Sequence, residues 1–273
     1  MDRPAADHRR VVRDMRETLG ATPVPIQIPM GEGDDFKGVV DVLGRRALYF
    51  EGRVGNTVRR CDIPAAFRGD ADRAREYVVE CLAEVDDGIL ERFLADRDVS
   101  AAELGKALRG ATLRGDMVPV LCGSAQRNLG VQPLLDAIVD FLPSPVDVAR
   151  VQGVCPRSGQ AETREASPDG PVTALVFKTM LDPYLGRLAF VRVYSGCLRS
   201  GVTLLNTTTA ARPRVTRLLQ IRANHTEERE RVAAGDIAAV VAAPTPATGD
   251  TLCDPDHPIE LEALRFPDPV VRI

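Results

Sequence analysis

Residues 117–130 read MVPVLCGSAQRNLG, and the way this stretch turns decides how the first half of the chain is built. Met117 to Leu121 is a short apolar run of strand length. It stops at Cys122-Gly123-Ser124-Ala125 and leads into VQPLLDAIVDFL, whose apolar residues recur at helical spacing. Pro133 falls in the first turn of that helix, where its missing N–H costs nothing. A tight turn between a buried strand and a helix is a common place to hold a nucleotide base. Guanine offers O6 as an acceptor and N1–H and the N2 amine as donors. A backbone N–H in the turn can donate to O6, and a carboxylate can accept from both donors at once. Adenine places a donor where guanine has O6, so buried groups would be left unpaired, and such mismatches discriminate strongly. Gly123 permits the tight turn, Ser124 and Ala125 supply donors, and Asp2, just ahead of the first helix, is the candidate carboxylate. Both signals have plainer readings: an N-terminal Asp is a common helix cap, and a Gly-Ser-Ala turn often serves only to reverse the chain.

Upstream of this stretch, Val11, Val12, Met15 and Leu19 repeat at helical spacing after Pro4 and stop at Gly20. PVPIQIP reads as a strand, and FKGVVDVLGRRALYFEG as two short strands around Gly44. From Asp70 to Phe93 the period changes. Ala74, Tyr77, Val78, Cys81, Leu82, Val85 and Ile89 form one apolar stripe, with acids on the other face. Ser100, three residues before Glu103, opens a further helix with a capping box.

Downstream, LPSPVDVARVQG reads as a linker, and RSGQAETREASPDGP is polar and turn-rich. After Pro171 the pattern becomes β: PVTALVFKTML and GRLAFVRVYSG alternate, and VTLLNT, PRVTRLLQIR and DIAAVVAA continue, as expected of a small closed barrel. Between Pro171 and Arg222 stand eight basic residues, Lys178, Arg187, Arg192, Arg199, Arg212, Arg214, Arg217 and Arg222, against one acid, Asp182. Such a face suits phosphate, although a solvated basic face would carry the same composition.

Composition bounds the alternatives. The chain has 273 residues, 44% hydrophobic and 27% charged, enough for two domains of ordinary size. A net charge of −4 argues against a wholesale nucleic-acid coat, which directs attention to the local basic segment. Six widely spaced cysteines with no C-x-x-C pair, beside three histidines, point to free thiols and to no metal site. MDRPAADHRR is charged from its second residue, and the apolar run IAAVVAA is only seven residues long. A cytoplasmic protein with neither membrane nor DNA as partner is therefore expected.

MDRPAADHRRVVRDMRETLGATPVPIQIPMGEGDDFKGVVDVLGRRALYF resembles the stretch following the Asn-Lys-x-Asp guanine motif of bacterial elongation factor G. Asp2 would be the motif's aspartate and Met1 its variable residue. GDMVPVLCGSAQRNLGVQPLLDAIVDFLPSPVDV resembles that family's last guanine loop and final G-domain helix. RLAFVRVYSGCLRSG, RVTRLLQIRANHTEER, VAAGDIAAVV and ATGDTLCDP resemble its β-barrel second domain, and FPDPVVRI the connection into the third. The resemblance covers essentially the whole chain, in the family's order.

It implies an α/β partial P-loop GTPase domain over 1–145 with an α+β insert at about 23–112, a linker at 146–170, and an all-β translation-factor barrel over 171–273. In the family the intact protein couples GTP hydrolysis, with Mg²⁺, to ribosomal translocation. The barrel leans on small-subunit ribosomal RNA, for which Arg192, Arg199 and Arg217 are candidates by charge. The insert faces a stalk protein, and the acids Glu76, Glu80, Glu84 and Asp87 could serve that contact, or simply be a solvated helix face.

The chain contains no G-x-x-x-x-G-K-[ST] loop, no Asp-Thr-Pro-Gly-His switch and no Asn-Lys before Asp2, so no catalytic residues are assigned. Two or three charge-assisted hydrogen bonds to a base contribute about 1.5–3 kcal/mol each. Immobilising a free ligand costs on the order of 4–15 kcal/mol. Affinity for GTP is thus expected at about millimolar or weaker, with no hydrolysis by this chain alone. Two other readings stand beside the elongation factor: a non-catalytic ribosome- or RNA-binding module, and a ribosome-protection or recycling paralogue.

Overall fold

The computed structural model describes residues 1–52, 55–148, 150–223 and 225–261, so the FPDPVVRI segment lies outside the described residues. The chain forms two compact units, Met1–Pro143 and Ser144–Ile273.

The first unit is mixed α/β. Helix α1 (His8–Leu19) begins later than Pro4, because Asp7 caps it by accepting from the Arg10 amide at 2.9 Å. Gly20, at φ +63°, ends it in the left-handed conformation that glycine takes at no steric cost. Strands β1 (Pro23–Pro25), β2 (Gln27–Met30), β3 (Gly38–Asp41), β4 (Arg46–Glu51) and β5 (Thr57–Cys61) follow. The last four form one antiparallel sheet in sequential order. The turn at Gly44 is closed by its amide donating to the Asp41 carboxylate at 3.1 Å. Strand β5 escaped the pattern reading because TVRRC is almost wholly solvent-facing.

The helix expected over 70–93 is two helices, α2 (Ala65–Ala83) and α3 (Asp87–Leu94). The break is Asp86, whose side chain accepts from the Ile89 amide and starts α3 afresh. Helix α4 (Ala101–Arg114) opens with both hydrogen bonds of the Ser100–Glu103 capping box. Strand β6 (Val118–Val120) runs parallel to β1 in the register Val24↔Pro119 and leads to α5 (Val131–Phe141).

The apolar stripe of α2 shares one core with Leu104, Ala107, Leu108 and Ala111 of α4 and with Ala137 and Phe141 of α5. Leu82, Leu104 and Leu108 are fully buried, each stabilising the unit by roughly 1.5–3 kcal/mol through leaving water. Arg75 of α2 crosses this core to donate to the Val42, Leu43 and Val99 carbonyls. The opposite face of α5 shows Leu134, Leu135, Ile138 and Val139 to solvent, as does Leu142 just past its end, with Val139 at 77% exposure. A helix apolar on both sides is the pattern of one that has packing surface to spare.

The second unit is all β. Residues 146–170, expected as a linker, hold strands β7 (Val151–Val154) and β8 (Ala161–Arg164). Strand β7 pairs with β8 on one side and with β18 (Glu260–Leu261) on the other. The remaining strands are β9 (Thr173–Asp182), β10 (Gly186–Ser195), β11 (Cys197–Arg199), β12 (Leu205–Asn206), β13 (Arg214–Arg222), β14 (His225–Arg229), β15 (Arg231–Ala233), β16 (Ile237–Ala243) and β17 (Thr251–Cys253). Seven of them form an antiparallel sheet in the order β12-β17-β9-β10-β16-β13-β14. The sheet closes on itself where Leu204 donates to Pro213 and Val215 to Val202, leaving little free edge. Alternate residues Ala189, Val191 and Val193 of β10 fill the interior with Val215, Leu218 and Val240. Strands β11 and β15 form a separate two-stranded ribbon.

Candidate guanine-recognition turn and basic barrel face

The turn after β6 is held from both sides. The Ser124 amide donates to the Leu129 carbonyl at 2.8 Å, and the Leu129 amide returns the bond to Ser124 at 2.9 Å. Gly123 fits because a Cβ there would stand 2.5 Å from the Leu129 carbonyl oxygen. Below the turn, Leu129 and Cys122 pack against Phe36, Val39 and Leu48 of the four-stranded sheet. Gln27 was not singled out in the sequence. It is 4% exposed, and its amide oxygen accepts from the Cys122 amide at 3.4 Å. A lone polar residue inside the apolar run PVPIQIP was the available signal. Burial pushes the Cys122 thiol up to about 12, so it stays protonated.

Asp2 comes to this turn across most of the unit's sequence. Met1 inserts its side chain beside Phe36, accepts from the Gly33 amide at 2.9 Å, and donates its ammonium to the Gly123 carbonyl at 2.6 Å. A hydrogen bond from the Ser124 side chain, then one from its own backbone amide, holds the Asp2 carboxyl below its ordinary range. The Met1 ammonium, 3.6 Å away, adds to this. A carboxylate has about four acceptor positions, so Asp2 keeps capacity for the paired donors of a base edge. The Ser124 amide is already committed to Leu129. Among the described residues the Ala125 amide donates to no internal acceptor, which leaves Ala125 as the turn's available donor. The turn therefore offers an acceptor at Asp2 and a donor at Ala125, while the Ser124 amide is not available to a base.

The three basic candidates of the barrel are not one cluster. Arg192, on the outer face of β10 opposite Ile237, lies over the Tyr194 ring at 5.4 Å. Arg217, on β13 opposite Val241, gives both ends of its guanidinium to Glu228 at 3.2 and 2.9 Å. That hydrogen-bonded partner raises the Arg217 pKa and lowers that of Glu228. Arg199 stands apart on the β11–β15 ribbon, directly opposite Arg231. Glu76, Glu80, Glu84 and Asp87 are all solvent-exposed on α2 and α3.

Residues 171–255, the strands from β9 to β17, match the family described as elongation factor G domain 2. That stretch of the second unit is similar to elongation factor G domain 2. The fold similarity extends past domain 2. The crystal structure of ttk003000868 from Thermus thermophilus superposes with a TM-score of 0.75 over 98% of this chain, at 32% identity. This chain spans 37% of the length of that one. The order seen here, a mixed α/β part followed by an antiparallel β domain similar to elongation factor G domain 2, is shared with that structure.

Proposed function

We propose that this chain serves an elongation-factor-G-like translation factor, the ribosome being its partner and GTP with Mg²⁺ the nucleotide of the intact machine. The observation that carries this reading is the domain 2 match over 171–255. The first unit contributes base selection: Asp2 accepts from the guanine donors and the Ala125 amide donates to O6. The second contributes attachment, with arginines of domain 2 against small-subunit ribosomal RNA and the exposed acids of α2 and α3 toward a stalk protein. This chain alone neither binds GTP tightly nor hydrolyses it, since it encodes no phosphate-loop or switch motif. In that respect it behaves as a non-catalytic ribosome-binding module. The domain 2 match supports the translocation reading, with a ribosome-protection or recycling role as the alternative.

Co-sedimentation with purified small ribosomal subunits over a salt series tests the attachment. Retention at low salt that falls steeply as salt rises is expected, because phosphate contacts release counterions. A chain that stays in the supernatant at the lowest salt would refute it.

A further inference from the structure

We propose that Arg199 and Arg231 form a phosphate-binding pair, shaped for the backbone phosphate of an RNA strand. The choice of RNA rests on the reading of domain 2 as a ribosomal-RNA contact; the pair itself rests on register and charge.

Strands β11 and β15 pair antiparallel with Cys197↔Ala233, Leu198↔Val232 and Arg199↔Arg231. Leu198 and Val232 are buried, and Leu198 belongs with Val232 to the barrel core. Their neighbours Arg199 and Arg231 must then point the other way, because side chains alternate along a strand, and both are exposed. Directly opposed residues hold their Cβ atoms about 4.5–5.5 Å apart, and like charges in that position destabilise the pair. Several arginines of this unit do resolve their charge internally, Arg217 with Glu228, Arg229 with Glu227 and Arg150 with Glu165. Among the described residues neither Arg199 nor Arg231 has an ion-pair partner, and Glu230, next to Arg231, has none either.

Two unneutralised guanidinium groups on one short ribbon match an anion with several oxygens. Arginine presents a planar fork of donors that grips phosphate oxygens two at a time. The ribbon is stiffly mounted: the Ser200 amide donates to the Glu230 carbonyl at 3.0 Å, and the Gly201 amide to Val215 at 2.7 Å. Arg214, the residue before Val215, is a third exposed arginine with no ion-pair partner among the described residues. A backbone phosphate seated between Arg199 and Arg231 would turn their mutual repulsion into a shared attraction. Arg231 lies outside the basic run that composition points to, and only the strand register brings it to Arg199.

The test uses the full chain and the variants Arg199→Gln, Arg231→Gln and both together, with Arg45→Gln plus Arg46→Gln of the first unit as a control matched in charge to the double variant. Binding of a labelled oligouridylate is followed by anisotropy across a salt series, and Tm is measured with and without inorganic pyrophosphate. The double variant is expected to bind about tenfold more weakly at low salt, with the log–log salt slope reduced by roughly 1.4, two single-strand contacts. Pyrophosphate is expected to raise the Tm of the parent and the control but not of the double variant. Unchanged slopes together with equal pyrophosphate stabilisation in parent and double variant would overturn the pair, while leaving RNA contact by domain 2 standing. Pyrophosphate stabilisation confined to the parent and control, with no oligouridylate bound, would uphold the pair for free phosphate and refute the RNA source. Absence of both effects in the parent would overturn pair and RNA reading alike.

Discussion

Replacing Arg75 by Met should unfold the first unit at markedly lower denaturant. Arg75 is 8% exposed and donates to Val42 at 3.1 Å, to Leu43 at 2.8 Å and to Val99. These three carbonyls come from the β3–β4 turn region and from the segment ahead of α4, so one side chain ties two parts of the unit to α2. Methionine refills much of the volume but donates nothing. The Val42 and Val99 acceptors are buried with their bonds, and leaving each unsatisfied costs about 1–3 kcal/mol. The Leu43 carbonyl is nearer solvent and regains water. The contact to Asp98 at 3.9 Å adds little, because Asp98 is 79% exposed. The expected loss is about 2–6 kcal/mol, a large part of a typical domain's 5–15 kcal/mol. Urea unfolding followed by helical ellipticity reads this unit, since all described α-helices lie in it. With a urea slope of about 1–3 kcal/mol/M, the midpoint should fall by on the order of 1–2 M. Arg75→Lys, with one donor group instead of a fork, should fall between. A loss below about 1 kcal/mol would show that these carbonyls do not depend on Arg75.

His8 should make the first unit acid-sensitive. It is 8% exposed with no partner for Nε2, and burial lowers its pKa. A depressed histidine pKa means the unfolded chain binds its proton first, so stability is full above the ordinary value near 6.5 and is lost as pH falls through the folded pKa. His8→Gln should flatten that part of the stability–pH curve, and an equally sloped curve in the variant would refute the assignment. On α5, Leu135→Gln with Val139→Gln should change stability by no more than about 0.5 kcal/mol, since both side chains are exposed. A larger loss, measured by the same urea unfolding, would mean that this face is covered. Hydrogen exchange should find β10 and β16 of domain 2 better protected than α1 and α5. The strands are paired on both sides within a closed sheet, whereas α1 buries only His8. Equal protection would contradict this.

The sequence was most legible where one physical signal dominated. The stripe from Ala74 to Ile89 was visible because helical period and burial coincide. The Ser100–Glu103 box was visible because both partners are local. Domain 2 was visible through alternation between turn residues, even with few aromatics. Features that depend on distant partners were hidden. Nothing local marks Arg75 as buried, because its acceptors lie 24 to 33 residues away. The break between α2 and α3 rests on one Asp86 cap inside an unbroken apolar period. Strands β7 and β8 read as linker because their residues alternate weakly and much of their pairing is with each other. The site divides the same way: Gly123 and Ser124 announce a tight turn, while Gln27 beneath it and Arg231 opposite Arg199 become visible only through tertiary packing and register.

Base selection at the turn can be measured directly by recording the amide resonances of Ser124 and Ala125 during titration with GMP and, separately, with AMP to millimolar concentrations. GMP should shift the Ala125 amide, AMP should not, and Asp2→Asn should abolish the response by placing an amide donor against the donors of the base. Equal shifts with both nucleotides, or a GMP response that survives Asp2→Asn, would contradict a guanine-reading role for this turn.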